Sequence, residues 1–594
     1  MVLKGESSMS RSQGEFCLAA RSRTRPRVAT LACIALFTLC LSDALFAQGT
    51  DKAERILFHA KVFTGVPEHP YAEAVAIRGD KVVAVGNLSE VSLAVSAGAE
   101  RADLQGKMLL PGLIDSHAHP IDGGVDLIGA DFSDQEPSIE ALVTFVEAAR
   151  KSGKGMKGDV LRVSGMPLEF WSKTDELNAR FNSGEFAANP VLLSGSDGHT
   201  CWANRILLTR AGVTKNFLAN LSDAQRAYYG VSKGGEPNGF AVDAGEDKIE
   251  AAVPAPSLEQ QVAGGRAAVH YLESLGITAW LDASVDEPIL AAYKSLAERG
   301  ELTPHVAAFW KVNPRNDPAK ELEIVQSMRR KYAGIPNLAI PGIKVFADGV
   351  VEFPSQTAAL TKPYKNSGRS GDLLFEPGRF AELATQADKQ GLIVHVHALG
   401  DRAVKEALNG IEAARKANGN SGLPHTLTHI QFADPEDFPR LKQLGVIAAL
   451  QLLWATAEFD SIEAVKPYVD PELYRWQYPA RSLLNAGATI SGASDWFVSS
   501  PNVFWAIYQA ETRKGVEGVL DASQRMPREA MLFAYTRNSA RALNQQDRIG
   551  FLAPGMQADM VLVDRDVLTV SPEEIRDTKV LWTMIGGTTV YRAQ

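Results

Sequence analysis

LLPGLIDSHAHP, residues 109–120, runs from an apolar strand straight into two histidines one residue apart. Side chains of an extended chain alternate faces, so His117 and His119 point the same way at the strand's carboxyl end, framed by Asp115 and Ala118. Two neutral imidazoles converging on one point suit a divalent metal. An isolated His-x-His is as readily a pair of loop residues, so its meaning turns on whether further ligands arrive from elsewhere in the chain.

The same kind of strand recurs along the sequence. After LIDSHAH come GITAWLDAS (276–284), HVAAFWKV (305–312), GIKVFADG (342–349), LIVHVHALG (392–400), HTLTHIQ (425–431), GVIAALQL (445–452) and ATISGASDW (488–496), each followed by a helix-like stretch. Eight such units predict an α/β fold, a (β/α)8 barrel over 111–547, with functional groups at the carboxyl ends of its strands. The gap after the first strand is too long for one helix, which predicts a capping insertion over about 125–265. β-rich stretches at 49–110 and 548–594 predict a small sandwich built from both termini.

Composition narrows the class. The 594 residues are 45% hydrophobic and 22% charged, an ordinary globular balance, and the formal net charge of −9 argues against nucleic acid as a partner. Small-molecule chemistry is the default. At the N-terminus, Arg21, Arg23, Arg25 and Arg27 precede the apolar run VATLACIALFTLCLSDALFA, which ends at Ala47 in a loose A-x-A pattern. Residues 1–48 therefore read as a secretory signal with a long charged region, and Met9 is a second candidate start. The competing reading, a retained membrane anchor, is disfavoured because the run is near the lower length limit for a span and holds Ser42 and Asp43. Export to the bacterial periplasm is expected, without a stable membrane anchor. Cys17, Cys33 and Cys40 lie in this segment, leaving Cys201 alone and no internal disulfide.

The polar residues at the strand ends form an inventory: His117 and His119 on the first strand, Lys344 in the fourth, His397 on the fifth, His429 on the sixth and Asp495 on the eighth. Barrel closure brings these ends to one bowl.

The segments PGLIDSHAHP, SGSDGHTCWAN, IKVFADGVVEFPSQTAAL, HVHALGDRAV, LTHIQFADPEDFPRL, GASDWFVSSPNVFWAIYQAETRK and LAPGMQADMVLVDRD resemble the amidohydrolase superfamily. They are most similar to its long-chain branch, which includes N-substituted formamide deformylase. The resemblance spans nearly all of the chain beyond residue 48 and implies a distorted (β/α)8 barrel, a β-sandwich, and one or two divalent ions, most often Zn2+. Position by position, His117, His119, His397 and His429 resemble imidazole ligands. Lys344 resembles the lysine whose carbamate bridges two metals, a role a free ammonium cannot fill because it has donors only. An unmodified Lys344 paired with Asp348 is the alternative. Asp495 resembles the residue that binds metal and moves the proton between attacking water and leaving group. His199 resembles a residue facing substrate, against the alternative of a structural histidine bonded to Asp197.

Other residues carry less weight. His395 reads as a packed interior histidine, His425 as structural, Asp401 as a helix cap and Asp115 as an orienting partner of a first-strand histidine. Phe170, Trp171 and Trp202 either line a pocket or pack the insertion's core. One departure stands out, Thr428 before His429, where relatives tend to carry an acidic residue. The leading expectation is a hydrolase of non-peptide amide-type C–N bonds by metal-activated water. An ester, lactone or cyclic amide substrate on the same site is the second reading, and a non-catalytic binding or regulatory protein the third. The oligomeric state is left open, with a homodimer the candidate.

Overall fold

The computed structural model describes residues 53–594 except position 134. The expected signal segment, with its three cysteines, lies outside the described residues. Among the described residues no helix is long and apolar enough to cross a membrane.

All eight anticipated barrel strands form. They are β1 (Leu113–Ala118), β2 (Ile277–Val285), β3 (His305–Lys311), β4 (Leu338–Phe346), β5 (Ile393–Ala398), β6 (Thr426–His429), β7 (Ile447–Leu450) and β8 (Thr489–Gly492). Each pairs in parallel with the next, from β1 through to β8. The result is a nearly closed eight-stranded barrel, in which most strand positions are buried and the strands read as largely apolar runs.

The barrel interior is layered. Ile114, Ala279, Leu281, Phe309, Ile393 and Ile447 fill its lower part as one apolar cluster. On β5, Ile393 belongs to that interior cluster, whereas Val394 and Val396 join the larger core outside the barrel. His395 and His397 therefore share the inward face and rise above the apolar plug. Gly342 on β4 is required by crowding: a Cβ there would lie 2.5 Å from the Phe309 ring and 2.4 Å from the Ile393 carbonyl. Two residues further along, Lys344 emerges into the polar layer.

The seam between β8 and β1 is joined by side chains and by backbone beyond the strand ends. Ser116 Oγ donates to Gly492 O at 2.8 Å, and Asp115 accepts from Ser494 N at 3.1 Å and from the Ser494 hydroxyl. Past the ladder, Asp495 N donates to His117 O at 2.8 Å and His119 N to Trp496 O at 2.7 Å. Asp115 also accepts from the His117 backbone N–H, so it binds the seam instead of orienting a histidine ring.

Between β1 and β2 the chain builds a seven-stranded sheet with strands from Ala130–Asp131 to Pro237–Val242. Phe170, Trp171 and Trp202 pack its core with Phe132 and Leu177, which decides between the two readings of those aromatics. The helices that leave and re-enter the barrel, Pro120–Leu127 and Leu258–Ser274, touch backbone to backbone. A Cβ on Gly124 would stand 2.0 Å from Gly264 O. Both termini contribute to one six-stranded sheet, where Met560–Val563 lies between Val580–Ile585 and Met108–Pro111. A four-stranded sheet containing Glu54–Phe58 accompanies it.

Helix Asp401–Asn418 corrects one expectation. Gly400 is its N-cap, and Asp401 sits inside the first turn with Oδ1 accepting from Thr361 N at 2.9 Å.

Candidate metal centre

The carboxyl ends of the strands meet as the sequence implies. His117 Nε2 and His119 Nε2 lie 3.0 and 3.1 Å from the same oxygen, Asp495 Oδ1. One ligand atom from each of these three residues lies within 4.8 Å of the others. Asp495 and His429 both adopt left-handed backbone, φ 58° and 74°. Such conformations cost on the order of 1–3 kcal/mol each and persist where surrounding structure over-determines them. Here the Asp495 N–H bond to His117 O provides that constraint.

His429 and His397 stand next to the trio. The His429 ring centroid is 5.0 Å from that of His117 and 4.6 Å from that of His397. Partners fix which nitrogen each ring presents. His429 Nδ1 donates to Gln451 Oε1 at 3.0 Å, which leaves Nε2 for a ligand. His397 Nε2 donates to Gly349 O at 3.2 Å, which leaves Nδ1. His117 Nδ1 is engaged by His395 Nε2 at 2.6 Å, so its Nε2 faces the site. Burial, the largest influence, with the neighbouring cationic groups, holds His117, His397 and His429 well below the ordinary imidazole range, so all three are neutral. Burial pushes Asp495 up, but the His119 hydrogen bond and the charges around it outweigh this and bring it to about 2. Neutral imidazoles around an ionised carboxylate form a donor set that fits a divalent cation.

Lys344 is 1% exposed, and burial lowers it to about 7. Its Nζ is 3.4 Å from His117 Nε2 and 4.7 Å from the centre of the Phe346 ring. The alternative pairing with Asp348 does not form. Asp348 is taken by three backbone N–H groups, those of Ala359, Leu399 and Gly400, at 2.8–3.0 Å. A buried amine of depressed basicity, without an ion-pair partner among the described residues, suits a carbamate.

His199 reaches the bowl from the insertion, its ring centroid 5.3 Å from that of His397. Its side-chain partner is Asp243, at 2.7 Å from Nδ1; Asp197 accepts from the His199 backbone N–H instead. Burial disfavours its charge, yet Asp243, Asp197 and Asp495 hold it up at about 9. Sequence reasoning missed Asp243. The available signal was its position at the end of strand Pro237–Val242, before a helix. A cavity of about 230 Å3 opens above these groups, lined by His199, His397, His429, Asp495, Trp454 and Tyr478 among others. Trp454 lies flat against His429, 5.5 Å between centroids and 6° between planes.

His395 and His425 are structural, as expected. His395 is fully buried, bonded to His117 and to the Thr426 hydroxyl. His425, at the opposite end of β6, accepts from Val394 N at 3.0 Å and pairs with Asp388 at 2.9 Å.

Residues 100–591 match the amidohydrolase family. The chain belongs to that family. This amidohydrolase is 25% identical over 549 residues to the putative amidohydrolase YtcJ of Bacillus subtilis, covering 89% of this chain and 98% of the relative. It is 23% identical to the N-substituted formamide deformylase of Arthrobacter pascens, over 91% and 99% of the two chains. It is also 26% identical to the Arabidopsis thaliana protein LONG AFTER FAR-RED 3, over 91% and 92%. Among solved structures, an uncharacterized metal-dependent hydrolase from Pyrococcus horikoshii superposes with a TM-score of 0.68 at 24% identity. That likeness covers 88% of this chain and 99% of the other and extends the match to the fold. The amidohydrolase assignment makes the protein a hydrolase.

Proposed function

We propose that this amidohydrolase uses divalent metal to cleave a non-peptide, amide-type C–N bond in a small molecule. The observation that supports this most is the convergence of His117 Nε2 and His119 Nε2 on Asp495 Oδ1 at the mouth of the barrel. His117, His119 and Asp495 would hold one ion. His397 through Nδ1, His429 through Nε2 and a carboxylated Lys344 would hold a second. Zinc suits this imidazole-rich set.

A bound divalent ion supplies a polarised carbonyl and a water whose pKa falls towards about 7. The chain's own groups do the rest. Asp495, ionised at neutral pH, accepts the proton of the attacking water and delivers it to the nitrogen as the C–N bond breaks. His199, kept protonated by Asp243, offers Nε2–H to the carbonyl oxygen as negative charge grows there. Trp454 holds the His429 ring flat. Export to the periplasm is proposed from the Arg-rich and apolar N-terminal stretch alone.

The test is metal content per chain by plasma mass spectrometry, paired with release of formate or acetate from N-formyl and N-acetyl amines. One or two ions per chain are expected, with turnover abolished by chelation and restored by zinc. Turnover that persists in metal-free protein, or cleavage of esters and lactones with no amide cleaved, would overturn this reading.

A further inference from the structure

The cavity wall beyond the ligands is anionic. Asp197, Glu352, Glu458 and Asp460 line it, and no lysine or arginine does among the described residues. Glu458 and Asp460 are exposed at the mouth, whereas Asp197 and Glu352 are half-buried deeper in the wall. None of the four carboxylates pairs with a described lysine or arginine. Burial, followed by the charges of Asp460 and Asp197, pushes Glu352 up to about 7 against the pull of its hydrogen bond from Gln431.

Acidic residues alone do not make a site, but hydrogen-bond acceptors here lack donors. Gln431 is fully buried, lines the cavity and gives its Nε2–H to Glu352 Oε1 at 2.7 Å, while its own Oε1 has no partner. Asp197 shows the same one-sidedness. Its Oδ1 accepts from His199 N, Thr200 N and Thr200 Oγ1 at 2.7–3.1 Å, and its Oδ2 accepts from nothing. Buried acceptors are almost always satisfied, so orphans on the wall of a cavity call for donors from whatever fills it. Trp454 and Tyr478 on the same wall add aromatic faces that attract cations.

We propose that this wall selects a substrate carrying an ammonium group, joined by a short hydrocarbon spacer to the scissile amide and seated against Gln431, Glu352 and Asp197. An ammonium has three donors and no acceptor, the complement of what the wall presents. Valine and leucine side chains, among them Val350, Leu399 and Leu453, leave an apolar stretch for the spacer. Cleavage of such an amide rests on the hydrolytic reading above; recognition of the cation does not.

The test uses the full-length zinc-loaded protein at pH 7.5 and low salt. Calorimetry compares n-butylammonium, n-butanol and butyrate, and formate release compares N-formyl-1,4-diaminobutane with N-formylpentylamine. The ammonium probe is expected to bind about tenfold or more tightly than butanol, with butyrate excluded. Glu352→Gln should erase most of that preference, and Asp460→Asn, an exposed change that leaves packing intact, should reduce it by a smaller factor. Kcat/KM should favour the diamine amide by a similar ratio. Equal binding of the three probes, no ammonium binding, displacement by equimolar calcium, or an undiminished preference in both variants would each overturn the proposal. Formate release without charge preference removes this inference and leaves the hydrolytic reading standing. Charge-selective binding without any amide cleaved does the reverse.

Discussion

His117-Ala118-His119 at the end of β1 and His395-Val396-His397 within β5 are the same three-residue pattern in one barrel, yet the two pairs are used differently. The first pair sits at the strand's end. Its second histidine already occupies the cap of the following helix, and both Nε2 atoms reach Asp495. The second pair lies wholly within its strand, so its first histidine is one layer down, fully buried and bonded to the back of His117. Height along a barrel strand, more than the spacing of the motif, decides whether an imidazole faces the candidate ion site or props up one that does.

That contrast can be broken at its common point. Asp495→Asn should keep metal and lose roughly a hundred- to ten-thousand-fold in kcat, because the amide cannot take the proton. Near-wild-type turnover would remove Asp495 from the proton path. Comparing positions within the pairs is the next step down. His119→Ala should lose metal, whereas His395→Ala should retain it with affinity weakened about 10- to 100-fold, since only the hydrogen bond behind His117 is gone. Equal losses in competition titrations with a chromogenic chelator would erase the distinction. Lys344, which touches His117 and not His119, should matter less to the first ion than to a second. Lys344→Ala should lower metal content, with partial recovery on adding short carboxylic acids, and unchanged stoichiometry would count against a carbamate. The smallest effect belongs to His425, just before β6 and at the opposite end of that strand from His429. His425→Ala leaves the Val394 N–H without its acceptor and should cost about 1–3 kcal/mol in urea unfolding, with kcat unaltered.

The barrel was legible because most positions of each strand are buried, so the strands read as largely apolar runs spaced by helix-like stretches. The candidate ligands were legible because they are polar residues at or near the carboxyl ends of those strands. What the sequence concealed were pairings across separate elements. Asp243 is 44 residues from His199, and nothing local marks it as that ring's partner. Asp348 looked like an ion-pair partner for Lys344 but turns away to collect three backbone N–H groups, an outcome set by the segments that follow β4 and β5. Nothing in the sequence singled out Gln431, whose unpartnered oxygen became visible only with the cavity around it.

The seam between β8 and β1 has a consequence in time. His119 and Asp495 are 376 residues apart, and the backbone bonds that hold them exist only when the last barrel strand closes on the first. A chain that has not yet delivered residue 496 has not assembled the His117, His119 and Asp495 cluster. On the proposed metal-dependent reading, the cation would be captured only where folding finishes, and the metal pool there would set which ion the protein carries.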